Sequence, residues 1–400
     1  MALFTGRLQA ETLRLVGAEL AVLITPDGRV IVSTGQSNSP LATGKVAVKP
    51  APQATSGPTP LPFQASPAPV APASSVAASN GTSGLLAALD WLDSLSAKGL
   101  DGQSLNEIGL RNGVLTVEDQ RNGGVLNFKN ISLSLRRPVG GGVALSVGEE
   151  GKNGWELKVA VGAPSNGVRS IDISANKVPT NNLLLAARLK DFTYAADMPL
   201  SGEFKGEIGR DGLPTYFRGE IVAGKGTIVD LNVPDYPMVI DHADARIEWD
   251  SGRRVMVAPF HVYAGANRIT LLAHLEPPND SIPNWQLGLS GGTILLAGGP
   301  GEAPSIFNRI AIRLRFDTEN RRVLLTQCDI SNGEIGIAGS GSIDYSGEPR
   351  LTLGMAATPM PVSVLKRIWP VLIVPEVREW ITERVDRGTE IGRASCRERV

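Results

Sequence analysis

Two cysteines and three histidines in 400 residues leave little from which to build a disulfide framework or a metal cluster. Aromatic residues reach only 5% and charged residues 20%, and the formal charge of −1 carries no electrostatic footprint for nucleic acid. No apolar run approaches the roughly 20 residues that a membrane-spanning helix needs. Nor does a basic stretch followed by an apolar one, the mark of a secretory signal, open the chain. What the chain does have is glycine (45), proline (28) and a 42% apolar fraction, enough for a sizeable core. The length alone suggests about two or three domains.

The ends differ from the middle. Residues 390–400 close on Ile391-Gly392-Arg393-Ala394-Ser395-Cys396-Arg397-Glu398-Arg399-Val400, a basic run without apolar periodicity. Back-translated, it resembles a short-read sequencing adapter, so the expectation is an artefactual tail. Without it Cys328 is a lone cysteine in a strand-like run, a packing residue. At the start, Met1-Ala2-Leu3 runs straight into strand-like sequence, and the chain reads as an internal piece of a longer protein.

Residues 1–34 alternate with a period of two. Leu13 and Leu15, then Leu20, Val22 and Ile24, then Val30 and Val32 after a Pro26-Asp27-Gly28 turn, predict three short antiparallel strands. Residues 35–84 are rich in Pro, Ala, Ser and Thr and cannot bury enough apolar surface to offset their ordering entropy. A linker with polyproline character is expected there. Leu85 to Ala97 then carries Leu85, Leu86, Leu89, Leu92 and Leu95 at helical spacing.

From residue 105 onward, strand follows strand. Ile131, Leu133 and Leu135 alternate with polar residues, as do Trp155, Leu157, Val159 and Val161. Ile310, Ile312, Leu314 and Phe316 do the same, and so do Leu351, Leu353 and Met355. Turn signals such as Arg111-Asn112-Gly113, Arg121-Asn122-Gly123, Asp211-Gly212 and Ser346-Gly347 divide the runs. The gaps are too short for helical crossovers, so the fold class is mainly β, a long antiparallel sheet with one polar side and a few short helices. Helical insertions are predicted over 182–190 and 362–388, the second as a pair in which Val377, Trp380, Ile381 and Val385 share a face.

Sites for chemistry are scarce. His242, His261 and His274 lack a metal-ligand spacing. The acidic cluster Asp241, Asp244, Glu248 and Asp250 beside His242 reads as a solvated hairpin rather than a metal or acid–base site. Gly298-Gly299-Pro300-Gly301 lacks the Lys-Ser/Thr of a phosphate loop, and Ser340, between two glycines, sits in a strand rather than a nucleophile elbow. With no nucleophile–base pair visible, the chain reads as non-catalytic, with no metal and no cofactor.

LRLVGAELAVLITPDGRVIV (13–32), IGLRNGVLTVEDQRNGGVLNFKNISLSL (108–135) and MPLSGEFKGEIGRDGLPTYFRGEIVAGKGTI (198–228) repeat an apolar-x-apolar, Gly, Asp-Gly pattern. LKRIWPVLIVPEVREWITERVDRG (365–388) adds a Trp-Pro … Trp … Gly segment. Together these resemble the AsmA-like family, in particular its YhdP-type members, across nearly all the chain outside the linker and the tail. The resemblance implies a long sheet curled into a groove over 85–389, closed by the helix pair at 362–388. It further implies a periplasmic protein fixed to the inner membrane by an anchor this chain lacks, moving phospholipid and maintaining the outer membrane. Acyl chains would then be the partners. The lipid-contact candidates are Leu133, Leu135, Leu157, Val159, Ile310, Ile312, Leu314, Leu351 and Leu353, with Trp369, Trp380 and Ile381 as a possible gate. From alternation alone, a β-sandwich or a surface interaction protein without lipid stays open.

Overall fold

The computed structural model describes residues 11–25, 29–34, 40–45, 105–120, 124–151, 154–181, 183, 194–231, 234–298, 301–346, 350–368, 375–385 and 389–399. The expected helix at 85–97, most of that at 182–190, and Trp369 lie outside them.

Strands dominate. In chain order they are β1 (Thr12–Val16), β2 (Glu19–Ile24), β3 (Arg29–Thr34), β4 (Pro40–Lys45), β5 (Glu107–Asp119) and β6 (Gly124–Arg136). Next come β7 (Val143–Glu149), β8 (Trp155–Val161), β9 (Arg169–Pro179), β10 (Tyr194–Ala196), β11 (Pro199–Ile208) and β12 (Pro214–Ala223). Then follow β13 (Gly226–Asp230), β14 (Met238–Ile240), β15 (His242–Asp250), β16 (Val255–Ala264), β17 (Asn267–Glu276) and β18 (Trp285–Leu296). The last are β19 (Ser305–Phe307), β20 (Arg309–Asp317), β21 (Arg322–Ser331), β22 (Gly336–Asp344), β23 (Arg350–Pro361) and β24 (Thr389–Arg399). Between β23 and β24 stand α1 (Val362–Ile368) and α2 (Pro375–Arg384).

A single 21-stranded sheet holds all strands except β10, β13 and β14, which form a small sheet of their own. From β5 onward the large sheet is an antiparallel meander. β5 to β9 pair in succession, then β9 with β11, β11 with β12, and β12 with β15. β15 to β18 follow, then β20 to β24, with β19 on the free part of β18's edge. Side-chain oxygens hold the reversals. Asp211 accepts the Leu213 amide at 3.1 Å, Asp250 that of Arg253 at 3.0 Å and Asp344 that of Ser346 at 3.0 Å.

Four expectations need correction. β1 and β2 do not pair with each other; they lie end to end along β5, both parallel to it, and only β2–β3 and β3–β4 are antiparallel. Gly17, at φ +63°, makes the joint, with its amide on the Arg111 carbonyl at 2.9 Å. Arg111-Asn112-Gly113 is not a turn. It lies inside β5, where Asn112 (φ 48°) sits at an irregularity in the β5–β6 register. Strand β4 occupies residues 40–45, which composition assigned to the linker; Pro40 stands at the first position of an outermost strand, where the missing amide costs nothing. The C-terminal helix ends at Arg384, four residues short of Gly388. Nothing in the fold bears on the reading of residues 390–400 as an artefactual tail: residues 389–399 pair with β23 as β24 through backbone groups that an open strand edge offers to any sequence.

Candidate functional site: an apolar sheet face

Register decides which side chains meet. Following cross-strand partners from β1, one row runs Leu15, Leu110, Leu133, Val147, Leu157, Ala175, Gly202, Ile221, Ala245, Phe260 and Leu271. A parallel row runs Leu135, Leu145, Val159, Ile173, Phe204, Gly219 and Ile247. Towards the C-terminus, Met256, Leu275, Leu287, Leu314, Leu325, Gly341 and Leu353 make another. Beside it lie Ala258, Ala273, Leu289, Ile312, Cys328, Gly339 and Met355. All belong to one face, because residues two apart on a strand point the same way. All nine lipid-contact candidates sit on it, and its rows extend across β5 to β23, roughly 65 Å at about 4.8 Å per strand.

The opposite face is polar: Ser134, Ser146, Lys158, Ser174, Glu203, Glu220 and Arg246 form one of its rows. The two faces differ in accessibility. On β11, Glu203, Lys205 and Glu207 are exposed, whereas Phe204 is half-buried and Gly206 and Ile208 are buried. Among the described residues, the buried Val161 and Ile208 have their sheet neighbours Val159 and Ile171 as apolar packing partners.

Aromatic side chains lie flat on the apolar side. Phe204 stands opposite Gly219 and Phe217 opposite Gly206, with the two rings stacked at 5.9 Å. A methyl group on Gly219 would lie 2.3 Å from the Phe204 ring, and one on Gly206 2.6 Å from the Phe217 ring. Each glycine leaves the space its neighbour's ring covers, so the wall carries phenyl surface without a protrusion.

Coverage of the face is uneven. Leu110, Leu115, Ile131, Trp155 and Val178 form a buried cluster, against which Leu15, Leu20, Val22 and Leu183 pack. On β20 to β23, by contrast, Ile312, Leu314, Leu325 and Leu353 stay half-buried, while Ile343 and Met355 are exposed. Cys328 lies in this stretch; desolvation, with Asp329 adding to it, pushes its thiol pKa up. Ile310 is buried, nearer α1, whose Val362 and Val364 are also buried. Of the gate candidates, Ile381 is half-buried and Trp380 is exposed, so Trp380 does not pack into a core. Helix α2 is tied down by polar contacts instead: Tyr236 donates to the Glu379 carboxylate, and Lys366 donates to the Thr382 carbonyl at 3.1 Å.

Elsewhere the chemistry is sparse. Strand pairing brings His261 opposite Asp244, and that carboxylate lies 2.9 Å from His261 Nδ1 and 3.3 Å from His242 Nε2. The sequence places only His242 near Asp244, since His261 arrives by register. Among the described residues no group of His, Cys, Asp or Glu is arranged to hold a metal ion. Ser340 lies on β22 opposite Gly354. No described helix is long and apolar enough to cross a membrane. Searches for related proteins return no matching family model, no matching curated protein and no matching solved structure.

Proposed function

We propose that this chain shelters acyl chains on the apolar face of its long sheet and so takes part in phospholipid movement between the membranes of a bacterial envelope, without catalysis. The observation that carries the reading is the run of apolar rows from β5 to β23, which remain half-buried over β20 to β23 where an ordinary core would be sealed. A ten-residue strand such as β12 spans roughly 33 Å. One leaflet of acyl chain needs about 15 Å, half of a bilayer's hydrocarbon core. Each methylene sheltered from water contributes about 0.8 kcal/mol, and apolar contact imposes no fixed register, so a tail can slide. The resemblance to AsmA-like proteins supplies the setting: the periplasm, with attachment to the inner membrane. Against the β-sandwich stands the partial exposure of Leu314, Leu325 and Leu353, which a facing sheet would bury.

Native mass spectrometry with lipid extraction, on chain purified from a bacterial periplasm, tests the proposal. Phospholipid in stoichiometric amount that survives gel filtration is the expected result. A folded, β-rich protein carrying no lipid would contradict it.

A further inference from the structure

One end of the strands carries a series of arginines among its carboxylates. There the connections after β6, β11, β15, β20 and the first residue of β23 place Arg137, Arg210, Arg253, Arg321 and Arg350. Connections on the same side are two strands apart, roughly 10 Å, but the series is broken twice, at 162–168, which carries no charged residue, and at 277–284, which brings Asp280. At the other end stand Asp197, Asp241, Glu302 and Glu334; two of the cations there are engaged, whereas Lys177 and Arg309 are exposed and form no side-chain hydrogen bond or ion pair with the described residues. Lys225 lies 3.6 Å from Asp241, and Arg268 donates to the carbonyls of Gly265 and Asn267 at 2.6 and 2.7 Å.

Not every arginine of the first rim is free. Arg254 donates to Asp211 at 3.2 Å, Arg322 to Asp344 at 2.9 Å and Arg210 to the Asn166 carbonyl at 3.4 Å. Asp250 and Asp317 turn their carboxylates back onto the amides of Arg253 and Asn320, at 3.0 and 3.2 Å. Arg253, Arg321 and Arg350 are exposed and form no side-chain hydrogen bond or ion pair with the described residues. Arg321 and Arg350 border the apolar row Phe316, Val323, Ile343 and Leu351, of which Ile343 is exposed, and Arg253 lies two strands before Trp285, where that row begins.

We propose that this rim is a track for the phosphate of an anionic amphiphile, whose tail lies along the strands while its head rests in turn on Arg253, Arg321 and Arg350. The inference rests on the proposed function and adds to it a polarity and a headgroup chemistry. Guanidinium suits the task, because its planar fork meets phosphate oxygens two at a time and keeps its charge at any physiological pH. Exposed contacts of this kind are individually weak and screened by salt, which lets a head move from one arginine to the next.

The test compares three probes on the full chain by titration calorimetry at low salt. They are a monoacylglycerol, the lysophosphatidate of the same acyl chain, and glycerol 3-phosphate. Lysophosphatidate should bind at least about fivefold more tightly than the monoacylglycerol, the upper range of one exposed ion pair. The triple variant R253Q/R321Q/R350Q should lose that preference while keeping its affinity for monoacylglycerol, and K177Q/K225Q at the other end should keep both. Equal affinity for the two lipids in the unaltered chain would overturn the rim inference and leave the acyl-chain reading standing. Binding of neither lipid would overturn both. Glycerol 3-phosphate binding as tightly as lysophosphatidate would mark a free-phosphate site and overturn the assignment to an amphiphile's head.

Discussion

Strands β5 to β9 and strands β20 to β23 are built on the same alternation, yet they meet water differently. In the first group Leu110 is 2% exposed and Ile131 1%; in the second Ile343 is 43% exposed and Met355 37%. The cause is what lies beside them. Leu15, Leu20 and Val22 from β1 and β2, and Leu183 from the helical turn after β9, pack against the first group, and bulges at Asn112, Asn130 and Lys177, each at positive φ, bend its strands. The second group has register shifts of its own, between Arg313 and Leu314 and between Leu325 and Cys328, but belongs to neither buried apolar cluster of the described residues. Alternation therefore makes an apolar face everywhere, and neighbouring elements decide where that face is core and where it is a surface.

Mutations can break or sharpen this contrast. Ile131→Ala empties a fully buried position and should cost about 2–4 kcal/mol in urea unfolding. Between the two regions, Gly219→Val drives a side chain into the Phe204 ring and should cost about 1–3 kcal/mol. Adding Phe204→Ala should recover part of that loss, because the two sites share one space. On the exposed strands, Ile343→Ala should cost under about 1 kcal/mol. An Ile343 cost equal to that of Ile131 would show that the second group is core after all. Trp380→Glu should shift stability by less than about 0.5 kcal/mol, since this tryptophan is 55% exposed.

The smallest effect concerns pH at the open end. Ser346, through its hydroxyl and amide, and then Arg322 hold the Asp344 carboxyl down at about 2. A depressed carboxylate contributes stability above its ordinary value near 3.8, and that contribution is lost as pH falls towards about 2. The β22–β23 turn should therefore loosen only in this acid window. An NMR titration of Asp344 with a midpoint near 4 would contradict the linkage.

Much of the strand content was legible, because Ile310 to Phe316 or Leu351 to Met355 alternate over their whole length. The apolar rows were not. They depend on register, and register depends on bulges such as the one at Lys177, where a long polar side chain in a strand gives no sign of a left-handed backbone. Parallel pairing of β1 and β2 with β5 joins segments separated by some 90 residues, beyond any local pattern. His261 was invisible as a partner of Asp244 for the same reason. One signal stood in plain view: Phe204-Lys205-Gly206-Glu207 and Phe217-Arg218-Gly219-Glu220 repeat a motif that, paired antiparallel, sets each ring over the other strand's glycine.

The most direct measurement is photo-crosslinking with a phospholipid that carries a diazirine on its acyl chain, followed by mapping of the labelled peptides. Labels should fall on the apolar rows, above all on the exposed Ile343 and Met355 and on the half-buried Ile312, Leu314, Leu325 and Leu353 around them. Labels on the opposite face, at Ser134, Lys158 or Arg246, or no labelling of a folded chain, would contradict a lipid-bearing sheet.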